Sequence, residues 1–598
     1  VNYGYLNNKA TGVINVEKGT ANGPNKQGIG IYGTNSTNIA NEGKVNVGGE
    51  KSVGILGLSY RIDPSTGLPV DPANEPYKAA TTPFGMVNVV NTATGIVTMD
   101  NDGAVGIFVK NNSIDKDSSG NYAVTAANRK NKSDTKATNK GKVTINGSSN
   151  SVAMGANNAI ITNDATGKIN VNGTESAGMY GTNDSELINT GEITIAATSQ
   201  GSESIGIYID DQDSTIKTSG KINVGNYSYG IFGKKVDMTG GEINVSDGGV
   251  GIYSTGPTVN LASGKISVAN NNAVGVYIAD DKSNATATAV TGNVEMKVGD
   301  TDSFGYLIIA TKAKTDLTTG GPAGHVGEKA VYIYSAAPRS LGGKITNNAD
   351  IVTDKNNGYA IYSSQDADNN ANINLKSGAG NIGMYSTQGV GRNFGIIEVG
   401  KTITVNEEYG IGMATGYFNK ATSAISNEGT IENHGTINVT EENSVGMYAV
   451  GSGSKAINTS TGVINLSGNN TTGMFIDQGA TGINYGTIQT TPTTNGRGIK
   501  GVVVINNGIL KNYGTIAIAG NKNMGVYKDG TGQTSATAQD TDTVTGQQGK
   551  NTSVQQVFVG TPTDQKVTGK VVVKVPPASA PNSVAITLDG AKVTPVLV

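Results

Sequence analysis

Two short glycine-centred motifs recur along the chain in fixed phase, and that phase constrains the fold more than any other feature. The first reads Gly-x-Ile/Val-x-Val/Ile. It occurs at Gly43 to Val47, Gly167 to Val171, Gly191 to Ile195 and Gly220 to Val224, and returns at Gly241, Gly264, Gly435, Gly462, Gly486 and Gly514. The second reads apolar-Gly-Ile/Met-Tyr/Phe, as at Val105 to Phe108, Ala177 to Tyr180, Ile205 to Tyr208 and Val445 to Tyr448, with Val276 as a variant in Val274 to Tyr277. Their glycines stand 11 residues apart at Gly43/Gly54, Gly167/Gly178, Gly264/Gly275, Gly435/Gly446 and Gly514/Gly525. Successive second-motif glycines at 178, 206, 230, 251 and 275 are separated by 28, 24, 21 and 24 residues. A period in the low to middle twenties, built from short alternating strands and turns, is one coil of a β-solenoid. About eighteen coils fit between Gly30 and Gly525, and at roughly 4.8 Å per stacked strand they predict a rod on the order of 90 Å long.

Composition agrees with a long, narrow core. The 598 residues include 85 glycines and no tryptophan, with 36% hydrophobic and 5% aromatic residues. Such a chain cannot fill a wide spherical core but can fill one that runs lengthwise. The 44 basic and 47 acidic residues leave a formal charge of −3, which argues against a dedicated nucleic-acid or anionic-membrane binder. The absence of cysteine excludes disulfides, thiolate metal sites and a cysteine nucleophile. It suits a chain that crosses an oxidising compartment unfolded. Val502 to Ile505 is among the longest apolar runs, far short of a membrane span. Val1 starts within the repeat, so the expectation is an excised fragment whose targeting and anchoring segments lie elsewhere.

Side chains two apart on a strand share a face. Ile169 and Val171 therefore face inward, with Lys168 and Asn170 outward. The same parity places Ile39, Asn41, Gly43, Val45 and Val47 on one side. It does the same for Ile425, Asn427, Gly429 and Ile431, and for Leu510, Asn512, Gly514, Ile516 and Ile518. An inward Asn repeated coil after coil forms an amide ladder. In the second motif, parity sends Ala177 and Met179 inward and Gly178 and Tyr180 outward. Tyr32, Tyr180, Tyr208, Phe232, Tyr253 and Tyr277 then make an exposed aromatic stripe. Such a stripe can carry sugar rings, but its recurrence favours rings that cover the bare glycines and finish the corner.

Insertions in a solenoid become loops, and loops on a rigid scaffold carry most binding. The repeat is expected to run from 1 to 527, with breaks near 58–84, 110–140 and 311–339. A linker is expected over 528–552 and a short β-rich tail, or further passenger, over 553–598. The first break holds Tyr60, Arg61, Asp63, Tyr77 and five prolines, which lower the entropy lost on binding. The second holds Arg129, Lys130, Lys132, Lys136 and Lys140 against Asp134, a patch for an acidic polysaccharide or protein or simply a solvated loop. The candidate ligand-binding residues are Tyr60, Arg61, Asp63, Tyr77, Arg129 and Lys130. The third break holds His325.

Catalytic and cofactor signatures match by letter only. Gly395 to Thr402 fits a phosphate-loop pattern, and Gly28, Gly30 and Gly33 fit a dinucleotide fingerprint. Neither is followed by the helix whose N-terminus would hold the phosphates. Asp210, Asp211 and Asp213 stand about three coils, some 14 Å, from Asp280 and Asp281, too far to share one glycosidic bond. Asp300 and Asp302 are read as turn caps. His325 and His434 are 109 residues apart; His434 occupies the x of an Asn-x-Gly that Tyr485 and Tyr513 fill elsewhere. No catalytic residue, metal site or cofactor is expected.

The run from Asn427 to Val439 followed by Ser444 to Tyr448 resembles passengers of large fusobacterial autotransporter adhesins, and the resemblance extends over residues 1 to 527. It implies an all-β, right-handed parallel β-helix displayed extracellularly on the bacterial cell surface. It also implies membrane contact only through a C-terminal outer-membrane barrel absent from this chain. Expected partners are a host receptor or glycan, or other bacteria, met chiefly through 58–84. The alternatives are a spacer stalk presenting a distal domain and a polysaccharide-degrading β-helix enzyme. The enzyme requires carboxylates on neighbouring coils.

Overall fold

The computed structural model describes residues 2–17, 28–59, 86–111, 135–209, 211–279, 287–403, 408–491, 496–519 and 523–528. Beyond these it describes residue 531 and the strands Gln533–Thr534, Val544–Gly546 and Val557–Val559. The chain divides into two compact units, the first holding Val1–Ser267 and the second beginning at Val268.

Each coil contributes three short strands. In the first unit one coil comprises Ile160–Asn163, Lys168–Val171 and Ala177–Thr182. In the second a representative coil comprises Thr430–Asn433, Thr436–Val439 and Val445–Val450. The strands of a coil pair in parallel with their counterparts one coil on, as in Lys168↔Glu192 and Ile169↔Ile193, or Thr436↔Val463 and Ile437↔Ile464. The fold is a right-handed parallel β-helix of about eighteen coils, as the repeat phase requires.

Alternation builds the core. The first two strands of a coil bury every second residue, as in Glu192–Ile195 and Ile160–Asn163. Parallel register then stacks like upon like. Val97, Val143, Ile169 and Ile193 form one fully buried column in the first unit, and Ile397, Ile437, Ile464 and Ile488 form another in the second. Each such side chain contributes about 1.5–3 kcal/mol by burial. β-branched residues suit this stacking because their single favoured rotamer repeats without adjustment.

The expected amide ladder is present. In the first unit it runs Asn8, Asn41, Asn91, Asn139, Asn163 and Asn189, each amide donating to the next Oδ1 at 2.7–2.9 Å. In the second it runs from Asn347 through Asn369, Asn393, Asn433, Asn458 and Asn484 to Asn512, at 2.7–3.0 Å. Next to the ladder the coils approach so closely that a Cβ on Gly191 would strike the carbonyl oxygens of Asp164 and Gly167. Only glycine passes there.

Several expectations are corrected. Asn427 is not a ladder residue: it adopts left-handed φ of 58° beside a hairpin, and Asn433 serves its coil. The hairpin pairs Tyr417–Asn419 with Ala424–Ser426, and Ile425 is exposed on it. The stretch near 311–339 is not one long break. It holds Thr315–Thr319, Gly324–Val326 and Val331–Ser335, all paired in register. The departure there is confined to the residues around the 3-10 turn Arg339–Leu341. Within and beyond the expected linker, Val544–Gly546 and Val557–Val559 pair with Thr515–Ile518 and Met524–Lys528 and continue the stack.

The second motif also departs from simple alternation. Gly178 faces inward: a Cβ there would lie 2.6 Å from the Gly206 carbonyl oxygen and 3.3 Å from the Ile169 side chain. Tyr180, Tyr208 and Tyr277 are buried rather than exposed, at 2–6% accessibility, while Tyr32 is exposed. The rings do contact one another, with centroids 5.5 Å apart and tilted for Tyr180–Tyr208, 5.2 Å and edge-on for Tyr208–Phe232, and 4.8 Å and stacked for Phe232–Tyr253. In-register pairing sets each ring against the residue one coil on, which buries Tyr180, Tyr208 and Tyr277 and leaves Phe232 and Tyr253 half-buried. Where a coil has glycine instead, a ring covers it. A Cβ on Gly155 would meet the Phe108 ring at 2.6 Å.

Candidate functional site

The six sequence-derived binding residues Tyr60, Arg61, Asp63, Tyr77, Arg129 and Lys130 lie outside the described residues. What the structure places is where their segments leave the helix. Residues 60–85 depart after Val53–Ser59 and return at Val87–Asn91; residues 112–134 depart after Val105–Asn111 and return at Thr135–Asn139. These are consecutive coils at one corner. Ser59 pairs with Asn111, and Val87 with Thr135. The roots are fastened: the Thr135 hydroxyl donates to Ser59 Oγ at 2.6 Å, and both side chains are buried.

The second unit uses the equivalent corner of its own coils. Residues 280–286 follow Val274–Ala279, the Arg339–Leu341 turn follows Val331–Ser335, and the 417–426 hairpin follows Ile411–Thr415. The hairpin is tied down at its base, where Glu428 Oε1 accepts the Gly453 amide at 2.7 Å and the Tyr385 hydroxyl donates to the Gly416 carbonyl at 3.2 Å.

Sequence reasoning missed a charged cluster in the second unit. Asp368, Arg392 and Glu432 occupy the same outward position on three consecutive coils. The Arg392 guanidinium meets Asp368 at 3.2 Å, Glu432 at 3.3 Å and Asp366 at 3.5 Å. Arg339 meets Asp366 at 2.9 Å, Lys344 meets Asp368 at 2.6 Å, and His434 Nε2 lies 3.1 Å from Glu432. Partial burial disfavours the Arg392 charge, but its bond to Asp368 and the surrounding carboxylates outweigh this and raise its pKa. The signal was legible, since these residues immediately precede the ladder residues Asn369, Asn393 and Asn433.

Chemically the cluster is balanced. The enzyme alternative needs carboxylates on neighbouring coils: Asp300 and Glu328 stand so, but Asp300 accepts the Glu328 amide at 2.8 Å and is held by Lys355, while Asp368 and Glu432, two coils apart, share Arg392 between them. Among the described residues no group of three or more His, Cys, Asp or Glu is arranged to hold a metal. His325 pairs with Asp354 at 3.0 Å in a coil well removed from that of His434. Asp211 caps its own turn through the amides of Asp213 and Ser214. The phosphate-loop letters fall on the strand Ile396–Val399.

The corner beside the ladder differs between the units in what it presents. In the first unit small residues leave an open groove of about 480 Å³ over Gly167, Gly191, Gly220 and Gly241, edged by Lys168 and Glu192. In the second unit Phe394 stacks on His434 at 4.6 Å and Tyr485 on Tyr513 at 5.2 Å. Among the described residues of the second unit, the exposed aromatic rings therefore stand at the x of Asn-x-Gly.

Residues 237–487 match the model of a protein family described as the BigA third pectate lyase-like domain. No curated protein and no solved structure matches the chain.

Proposed function

We propose that this chain is the passenger of a bacterial cell-surface adhesin, in which the β-helix is a passive scaffold and inserted segments make the contacts. The observation that carries this reading is the shared root of 60–85 and 112–134 on consecutive coils of one corner. Two long insertions from adjacent coils present their residues to one partner, whereas insertions scattered around the helix would not. Within this reading Tyr60, Arg61, Asp63, Tyr77, Arg129 and Lys130 contact a host receptor, a host glycan or a partner bacterium. Display on the outer membrane through an autotransporter barrel, as in the fusobacterial adhesins the sequence resembles, completes the proposal.

The chain is read as non-catalytic. The charged cluster around Arg392 supports this, because its carboxylates are engaged by cations. A spacer stalk is the second reading, supported by the laddered, self-satisfied coils. Binding of the purified chain to host cells and to a glycan array, beside variants lacking 60–85 or 112–134, separates the two. Loss of binding with either deletion supports the adhesin. Unchanged binding in both deletions refutes these insertions as the contact, and no binding by the intact chain favours the stalk.

A further inference from the structure

Among the described residues of the second unit, the exposed large apolar side chains are Phe394, Ile396, Ile425, Tyr485 and Tyr513. All but Ile425 lie on one face. Parallel register fixes that face as three outward columns over five coils. The corner column carries Phe394, His434, Tyr485 and Tyr513, with the Thr459–Thr461 turn between His434 and Tyr485. The middle column is Ile396, Thr436, Val463, Thr487 and Thr515. The third is a ladder of polar side chains: Asn438 donates to Glu398 at 2.6 Å, Asn465 to Asn438 at 2.9 Å and Gln489 to Asn465 at 3.1 Å.

Apolar side chains gathered on one face are often functional, whereas singly scattered ones need no explanation. Its size and chemistry select the partner. Four coil spacings by four residues of strand give roughly 19 Å by 13 Å, about 250 Å². A stable protein interface needs about 800 Å² per partner. Most charge at the edges of the face is held: Glu398 by Lys376 at 2.6 Å, and Arg392 by Asp368 and Glu432, which leaves Lys511, two residues before Tyr513, as an exposed cation there. Aromatic rings beside a row of amides offer apolar contact for C–H faces and donors and acceptors for hydroxyls.

We propose that this face binds a short linear uncharged oligosaccharide, lying across the Phe394/His434 and Tyr485/Tyr513 pairs with its hydroxyls toward Asn438, Asn465 and Gln489. The proposal rests on the adhesin reading but assigns recognition to a place that reading does not use.

The test titrates the purified chain calorimetrically with maltotetraose, cellotetraose and lacto-N-tetraose as neutral probes and tetragalacturonate as the acidic one. The variants are Tyr485→Ala/Tyr513→Ala, Tyr485→Phe/Tyr513→Phe and Tyr227→Ala, the last an exposed tyrosine of the first unit. Circular dichroism confirms that each folds. The expected result is binding of at least one neutral probe, weakened about tenfold or more by the double alanine variant and kept by the other two. Equal binding by the double alanine variant overturns the proposal, as does binding of tetragalacturonate alone or of no saccharide. Cell binding that is lost on deleting 60–85 or 112–134 but unaffected by the tyrosine variants would leave the adhesin reading standing without this site.

Discussion

Replacing Asn458 by alanine tests whether the amide ladder holds the coils together. Asn458 is fully buried; its amide donates to Asn484 Oδ1 at 2.9 Å and to the Gly462 and Thr487 carbonyls at 3.2 and 3.4 Å, and its Oδ1 accepts from Asn433 at 3.0 Å. Alanine removes all four contacts. Asn433 keeps its bond to the Gly435 carbonyl at 3.2 Å, but Asn484 Oδ1 loses its ladder donor. The orphaned buried acceptor costs about 1–3 kcal/mol, and the other lost bonds, whose partners keep further contacts, together add about 1 kcal/mol, which gives a loss of about 2–4 kcal/mol. In a solenoid that loss is local, because each coil contacts only its neighbours. Hydrogen exchange read by mass spectrometry should therefore show opening accelerated roughly 30- to 700-fold in the coils around Asn433, Asn458 and Asn484. The Asn163 region serves as the unaltered reference. A change below about 0.5 kcal/mol, or an equal change in both regions, would refute the argument that the ladder is a local stabiliser.

Gly446→Ala should strongly destabilise the chain, because the new Cβ would lie 2.6 Å from the Gly473 carbonyl oxygen; Gly48→Ala, with its nearest atom at 3.8 Å, should be near neutral, and urea midpoints compare them. Tyr306→Phe should be neutral or stabilising by about 1 kcal/mol, since the Tyr306 hydroxyl is buried without a hydrogen-bond partner; a clear loss in thermal unfolding would contradict this. Burial raises the pKa of Tyr359, Tyr362, Tyr385 and Tyr448 above that of an unfolded tyrosine. The folded state thus keeps protons the unfolded state releases, so stability is complete below about pH 10 and falls as pH rises beyond it. Urea midpoints from pH 8 to 11 should be level at first and then decline, and a midpoint that rises above pH 10 would refute the assignment.

Much of this molecule is determined by sequence alone. The 11-residue phase between motif glycines sets the coil, period-2 alternation sets the inward face of strands such as Lys168–Val171, and the recurring Asn-x-Gly sets the ladder. Each is a local rule repeated in register, so one correct coil predicts the next. Even the Asp368–Arg392–Glu432 cluster is legible once the coils are aligned on their ladder asparagines. Tertiary structure decided the rest. Parity places Tyr180 outside, but whether an outward ring meets water depends on the neighbouring coils, and there it packs against Tyr208 and is buried. Tyr485 and Tyr513 stack just as closely yet stay exposed, because they project from the corner beside the ladder. Spacing from Gly54 and Gly106 already sets the breaks after Ser59 and Asn111 at one point of their coils, but only the tertiary structure shows the buried Thr135–Ser59 hydrogen bond that joins their roots. Contacts between coils join residues some fifty positions apart, and no pattern within a single coil encodes them.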